Sequence, residues 1–505
     1  MLAGLEGTLM GKWDYRTGLS TAQSKATSVL GESYMYQAPL IAALGSGLVN
    51  PWVGPGQTQN PAGATLLANA SAAGQRLFGG KSSTTELDGT VSGEVMRLPA
   101  GPLAVALGFD LRRETYEFSN GIDSGSVPRV YQAAEDAAFP RVGRTIKAVF
   151  GEVAVPIVKN LEANVAVRYD HYSDFGGTTN PKFSLKYTPI EQLLLRASYN
   201  TGFRAPSFFQ VYGPSGGDQP VPGNIADPVL CPLGPTAPGA NLAVCAIRPN
   251  ARSGGNLDLK PEESKQWTVG FVVSPVDWLS ASIDLWEIKR TDLIYELTPQ
   301  QVIANYQQFP NNFFRVNGNL TDAGAYIRAG FVNADGDITR GTDLSVTANG
   351  KAMDGRWTAF LEGTYMDSHR SRIFSSQPYV ETAGQWNARD LFVRWKHQLG
   401  ATYTRGNWSG SASQSFTDGY RDQVPAGTVP PGFDPFVHSY TVYNASLTYT
   451  GVKNLSVTAG VKNLFDKDPP FTAHNLDFAA GAGWDPRVAD PRGRAYTLRV
   501  NYKFF

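Results

Sequence analysis

The strongest constraint on this chain is a two-residue alternation of apolar and polar side chains that returns about seventeen times. From residue 161, one face reads Leu161, Ala163, Val165, Val167 and Tyr169, and the other Glu162, Asn164, Ala166 and Arg168. Leu279, Ala281, Ile283 and Leu285 alternate with Ser280, Ser282, Asp284 and Trp286. Leu455, Val457, Ala459 and Val461 alternate with Ser456, Thr458, Gly460 and Lys462. Successive side chains of a strand point to opposite faces, so each segment reads as a strand with one apolar face. The segments run roughly 9–15 residues, beyond the about 5–6 usual in soluble sheets and long enough for the about 9–11 that cross a bilayer.

The connections alternate as well. Residues 14–18, 98–102, 156–160, 188–192, 274–278, 352–356, 404–407 and 451–454 read as tight turns. Between them, 33–84, 118–143, 203–261, 291–337, 370–390, 419–435 and 464–493 read as loops, and 173–177 is a short exception. In an up-and-down sheet alternate connections share one end. The expected fold is therefore all-β, an antiparallel transmembrane β-barrel with short periplasmic turns and long extracellular loops. Trp13, Trp278, Trp357 and Trp408 lie at or beside the tight turns. Indoles favour the headgroup layer, so they read as part of an aromatic girdle.

Composition closes other routes. Forty-four basic residues balance 44 acidic ones, which argues against a nucleic-acid binder held by a basic surface. At 42% hydrophobic residues the chain is too apolar to be disordered. Its best apolar run, 38–49, contains Pro39, Gly45 and Gly47 and falls short of the roughly 18 residues of a membrane helix. The opening Met1-Leu2-Ala3-Gly4-Leu5-Glu6-Gly7 lacks the basic start and apolar core of a signal peptide. A soluble propeller would repeat every 40–50 residues or so, and no such repeat is present. Seventeen strands is an odd number, so the first, Leu5 to Trp13, would start at the extracellular end. Bacterial barrels have even strand numbers with both ends in the periplasm. An odd number of strands is expected before Leu5. Unclosed, the sheet would leave edge groups that cost several kcal/mol each in lipid, so the chain alone is not expected to form a tight pore.

Four ordered motifs resemble TonB-dependent outer-membrane receptors. They are Arg196-Ala197-Ser198-Tyr199-Asn200-Thr201-Gly202-Phe203-Arg204-Ala205-Pro206-Ser207, then Asn256-Leu257-Asp258-Leu259-Lys260-Pro261-Glu262 with Trp267 and Gly270 following. Val461-Lys462-Asn463-Leu464-Phe465-Asp466-Lys467 and Pro491-Arg492-Gly493-Arg494-Ala495-Tyr496 complete the set. The resemblance implies a Gram-negative outer-membrane barrel of twenty-two strands, about seventeen of them in residues 1–505. Signal peptide, plug, TonB-contacting segment and about five strands would precede them. It implies active uptake of a siderophore, vitamin or oligosaccharide-type ligand, driven through the plug by the TonB complex. The alternative is a passive porin-like channel. The implied partners are outer-membrane lipid, the barrel-insertion machinery and a small extracellular ligand.

Tyr496, Leu498, Val500, Tyr502 and Phe504 alternate to the C-terminus, with Phe505 out of phase. This resembles the signal read by the insertion machinery. Cys231 and Cys245 lie in a Pro/Gly-rich loop that faces an oxidising exterior, where a disulfide is expected. The loop aromatics Tyr212, Trp386, Phe433 and Trp484 offer faces on which a ligand can stack, the alternative being packing within folded loops. His171, His369, His397, His438 and His474 are scattered without metal-ligand spacing, so neither a metal nor a cofactor is expected, and nothing supports catalysis. Asp335-Gly336-Asp337 resembles part of a calcium loop but lacks the downstream Glu, and is expected to be a turn. Gly79-Gly80-Lys81-Ser82 lacks the spacing and strand–helix setting of a phosphate loop.

Overall fold

The structure is a computed structural model that describes residues 1–504 apart from 55, 121–129, 131–138, 214–218, 222, 388–389, 424–431 and 474–482. His474 and Phe505 lie outside the described residues. Seventeen long strands follow one another in chain order: β1 Leu2–Leu9, β2 Trp13–Val29, β3 Arg76–Leu98, β4 Gly101–Asn120, β5 Phe139–Val158, β6 Leu161–Tyr172, β7 Gly176–Ile190, β8 Leu193–Arg204, β9 Glu262–Val276, β10 Leu279–Leu297, β11 Gly330–Ala352, β12 Gly355–Arg372, β13 Trp395–Arg405, β14 Trp408–Thr417, β15 Tyr440–Tyr449, β16 Leu455–Lys462 and β17 Ala495–Tyr502. Each pairs antiparallel with its neighbours in sequence, in one sheet. Among the described residues no ladder joins β1 to β17, so the sheet has two edges. No helix among them is long and apolar enough to cross a membrane.

The register assigns the faces. Leu107, Phe109 and Leu111 of β4 share a row with Val149, Val167 and Phe183 on the following strands, and all are exposed. Leu107 keeps 54% of its surface and Val149 59%, whereas Asp170 on the opposite face keeps 2%. Apolar side chains face outward and charges inward, the reverse of a soluble sheet and the pattern of a barrel in lipid. Aromatic pairs frame this band. Near the tight turns Trp357 stands opposite Tyr403 and Trp408 opposite Tyr449, whose rings are 4.6 Å apart. Trp13 starts β2 beside the first turn, and Trp278 sits between β9 and β10. Toward the loops, Tyr199 pairs with Trp267 and Tyr365 with Trp395, and His397 stacks on Phe416. The outward row thus carries two girdles where lipid headgroups lie.

Three expectations need correction. The first turn is residues 10–12, not 14–18, because Met10 (φ 52°) and Gly11 (φ 64°) supply the left-handed backbone a hairpin of this hand requires. Asp14, Arg16 and Gly18 instead lie on β2, paired with Thr8, Glu6 and Gly4 of β1. Several strands outrun the bilayer: β3 and β11 each span 23 residues, so residues taken as loop continue the ladder above the membrane. Asp335-Gly336-Asp337 is therefore no turn but part of β11, where Asp335 meets Arg372 and Asp337 meets Arg290. Gly79 to Ser82 lie within β3.

The outward row yields a direct expectation. Leu107→Arg places a guanidinium in the apolar band and should cost about 2–4 kcal/mol of folding free energy in lipid vesicles. Ala106→Arg, one residue away on the inward face, should cost clearly less. Equal losses would show the faces to be misassigned.

Candidate functional site

Between the long strands, the loops fold into bodies of their own. Val221, Val302, Ile327 and Phe374 from loops 205–261, 298–329 and 373–394 pack with Leu297 at the end of β10 into one apolar core. Four short strands tie these loops together: Gln219–Pro220, Asn250–Arg252, Phe313–Phe314 and Tyr326–Arg328. The helix Pro299–Ala304 begins with a capping box between Thr298 and Gln301, which satisfies its first backbone N–H groups.

Two covalent and ionic clasps hold this body. Cys231 and Cys245 are disulfide-bonded, with Cα atoms 5.3 Å apart. Asp227, 1% exposed, accepts two bonds from the Arg315 guanidinium at 2.7 and 2.8 Å. The same carboxylate accepts the backbone N–H of Val229 and Leu230. Burial works to raise the Asp227 pKa, but Arg315 and those amides outweigh it and hold it below its ordinary 3.8. A depressed carboxyl stabilises the fold above its unfolded value, and that contribution is lost as pH falls through the lower folded value. The loop body should therefore resist protease at pH 5 and become more readily cleaved as pH falls below 3.8, at positions around 223–249, as peptide mapping would show.

The cationic face of this body is its most distinctive chemistry. Arg252 and Arg328 are register partners on adjacent short strands. Arg252 lies over the Tyr326 ring at 3.8 Å, Tyr326 stacks on Phe314 at 4.4 Å, and Arg328 lies 5.5 Å from the Phe314 ring. Arg252, Arg328, Tyr326 and Asn312 line a cavity of about 290 Å³ whose wall contains no carboxylate among the described residues. A guanidinium presents its N–H donors in a planar fork, the geometry that grips carboxylate, phosphate or another oxyanion. None of these five residues stood out in the sequence. The only local trace is an aromatic and an arginine two apart, at Tyr326 and Arg328, as on one face of a strand.

The aromatics singled out from the sequence divide between two bodies. Tyr212 ends the helix Phe208–Tyr212 and stacks on Phe208, which in turn stacks on Tyr116 of β4. Trp386 packs against Val393, Tyr420 and Val437, with Arg487 over its ring at 6.0 Å. Trp484 directly precedes Asp485, the carboxylate partner of Arg487. Phe433 is half-buried in the loop between β14 and β15. The fold thus brings Trp386 and the Trp484 segment to one cluster and leaves Tyr212 in another. Asp422 anchors the first cluster by accepting the Thr472 hydroxyl at 2.7 Å. Among the described residues no group of three His, Cys, Asp or Glu side chains is placed to hold a metal ion. His397 is instead hydrogen-bonded to Trp395, and His369 to Thr339.

Below the loops the inward wall is a ladder of ion pairs. Arg168 bridges Asp110 and Asp170, and Arg144 bridges Glu114 and Asp174. Arg204 grips Glu262 with two bonds of 2.6 Å, and Arg196 meets Asp284. Arg204 and Glu262 are the last residue of β8 and the first of β9, across the neck of loop 205–261.

The family model described as the TonB-dependent receptor-like β-barrel matches residues 4–464. This chain belongs to the TonB-dependent receptor family. This TonB-dependent receptor barrel is accordingly a protein of the Gram-negative outer membrane. It is 20% identical over 396 residues to the vitamin B12 transporter BtuB of Vibrio cholerae serotype O1, over 78% of this chain and 48% of that protein. It is 23% identical over 349 residues to the ferric enterobactin receptor of Pseudomonas aeruginosa, covering 69% and 40%. The fold superposes on the crystal structure of the ferric enterobactin receptor PfeA from Pseudomonas aeruginosa with TM-score 0.64 at 16% identity, covering 99% of this chain and 61% of that one. The siderophore receptor PirA from Acinetobacter baumannii gives TM-score 0.62 at 16% identity, covering 100% and 62%. The chain thus spans about half the length of the curated relatives it matches.

Proposed function

We propose that residues 1–505 serve as the barrel of an active-uptake receptor that captures a small anionic ligand at its loops and takes it inward by coupling to the TonB complex. Family membership supports the transport reading, and so do relatives named as a vitamin B12 transporter and a ferric enterobactin receptor. The observation that carries the ligand class is the convergence of Arg252, Tyr326 and Arg328 on one cavity in whose wall no described residue is acidic, with Phe314 stacked behind Tyr326. A metal chelate with carboxylate or catecholate oxygens fits that chemistry, since two guanidiniums supply charge and the rings supply flat apolar faces. Trp386, Phe433, Trp484 and Tyr212 are proposed as secondary stacking surfaces. The exposed row Tyr496, Leu498, Val500 and Tyr502 of β17, with Phe504 just beyond it, is proposed as the recognition signal for the insertion machinery.

Uptake of labelled ferric siderophores, cobalamin and oligosaccharides, measured in a host lacking its own receptors, tests this reading. Energy-dependent uptake of an anionic iron complex, lost when TonB is deleted, is the expected result. Uptake that persists without the proton gradient would replace it with passive diffusion through a pore.

A further inference from the structure

A buried histidine fastens loop 373–394 to the barrel wall. His369 stands opposite Thr339 near the loop end of β12, beyond Tyr365 and the upper girdle, and is 2% exposed. Its ring lies between β11 and the loop. Thr339 Oγ1 and His369 Nδ1 are hydrogen-bonded at 2.9 Å, and the ring packs on Phe392 with centroids 4.1 Å apart. The backbone of His369 is clasped as well. Its carbonyl oxygen accepts the Thr382 N–H at 2.8 Å and the Thr382 hydroxyl at 3.2 Å. Its own N–H donates to the Glu381 carboxylate at 2.9 Å, which also accepts the Ala383 N–H. Val380 and Glu381 pair with Ser371 and Arg370 as a short added strand, and the Gly384 N–H donates to the Phe392 carbonyl oxygen. Both sides of the loop thus close on one histidine.

This loop is the strap between the two loop bodies. At one end Ile373 and Phe374 pack in the core with Val221, Val302 and Ile327, and Ser376 accepts a bond from Gln308 at 2.7 Å. At the other, Trp386, Leu391 and Val393 pack with Tyr420 and Val437. A charge on the ring of His369 would be poorly received between them. The charged groups facing it are Arg290 from β10, Asp337 from β11, and Glu381 and Asp390 from the strap. Asp337 is committed to the Arg290 guanidinium, and Glu381 to two backbone amides. Among the described residues no carboxylate hydrogen-bonds the imidazole. Burial pushes His369 below its ordinary 6.5, outweighing the pull of Asp337, Asp390 and Glu381. A group lowered in this way stabilises the closed strap while it is neutral. That contribution is whole above 6.5 and is lost as pH falls from there toward the lower folded value, by at most about tenfold per pH unit.

We propose that His369 is a proton-operated buckle: neutral, it holds the strap on β11 and β12; protonated, it releases Phe392 and Thr382 and uncouples the two loop bodies. The switch answers to mild acid, because a histidine titrates well above a carboxylate. Glu381 takes no part in that range. Burial works to raise its pKa, but the amides of His369 and Ala383 outweigh burial and hold it below its ordinary 4.5. The inference does not depend on which ligand the receptor carries.

Hydrogen exchange of the chain purified from outer membranes, with labelling times scaled for intrinsic exchange, tests it. Between pH 7.5 and pH 5.5 the amides of 380–384 should quicken by about threefold to tenfold. Those of β6 and β7 should not change. His369→Gln stays neutral at both pH values and can still bond the Thr339 hydroxyl, so its strap should exchange equally at both. His369→Ala should show the fast rate at both. Exchange of the imidazole C2 proton, followed by mass spectrometry on the wild-type chain, gives the protonation midpoint of His369 without any substitution, and that midpoint should lie below 6.5. An unchanged strap at pH 5.5, the same quickening in His369→Gln, or a midpoint at or above 6.5 would each overturn the proposal.

Discussion

Exchanging Arg252 and Arg328 together for alanine is expected to weaken ligand capture by about a hundredfold or more. A hydrogen bond to a charged group contributes about 1.5–3 kcal/mol, and 1.4 kcal/mol is about tenfold in affinity. Two such residues line one cavity here, so both anchors of an anionic ligand vanish at once. Lysine at both positions should give an intermediate loss, since it restores charge but not the planar stack on Tyr326 and Phe314. Phe314→Ala alone should cost less than the double arginine change. Equilibrium binding of the labelled ligand to whole cells measures all three. Unchanged affinity in the double variant would move the binding site elsewhere.

Asp227→Ala is expected to undo the loop body while leaving the barrel intact. The substitution strands the Arg315 guanidinium in a mostly buried site and removes the acceptor for the Val229 and Leu230 amides. Breaking one side of a buried pair costs about 3–5 kcal/mol. Reduction of Cys231–Cys245, which closes a loop across 14 positions, should remove about 3 kcal/mol from the same body. Hydrogen exchange should therefore quicken over 219–252 and 313–328 in either case, and most when both clasps are opened. Exchange in β6 and β7 should stay slow, because those strands are held by their own ladder. Matching acceleration in the strands would show that the loops and barrel unfold as one unit.

These two expectations concern parts of the molecule that were legible to very different degrees. Seventeen alternating segments and seven of the eight tight turns lay open in the sequence, because strand periodicity and turn chemistry act over a few residues. The first turn was misplaced because Met10 is an unusual residue for a left-handed position, while Asp14 and Gly18 are common turn residues. Asp335-Gly336-Asp337 misled for the same reason: its composition suits a turn, but Arg372 and Arg290, 35 or more positions away, hold it in a strand. Of the singled-out aromatics Trp386 lies in a packed loop cluster and Trp484 next to Asp485, whose partner Arg487 lies over the Trp386 ring, yet the arginine–aromatic stack was not visible at all.

By itself, the sequence determined the architecture: the alternation selects strands, their length suits a bilayer, and the unequal connections set which end carries loops. It also displayed the family motifs, which reside at strand ends where local residue order is what matters. Only the tertiary structure decided which loop side chains meet. Arg252, Phe314 and the pair Tyr326 and Arg328 come from separate strands of two loops and converge through sheet pairing and a shared apolar core. Local alternation follows from neighbours in the chain, whereas a binding surface is set by contacts between distant segments, which no short-range pattern encodes.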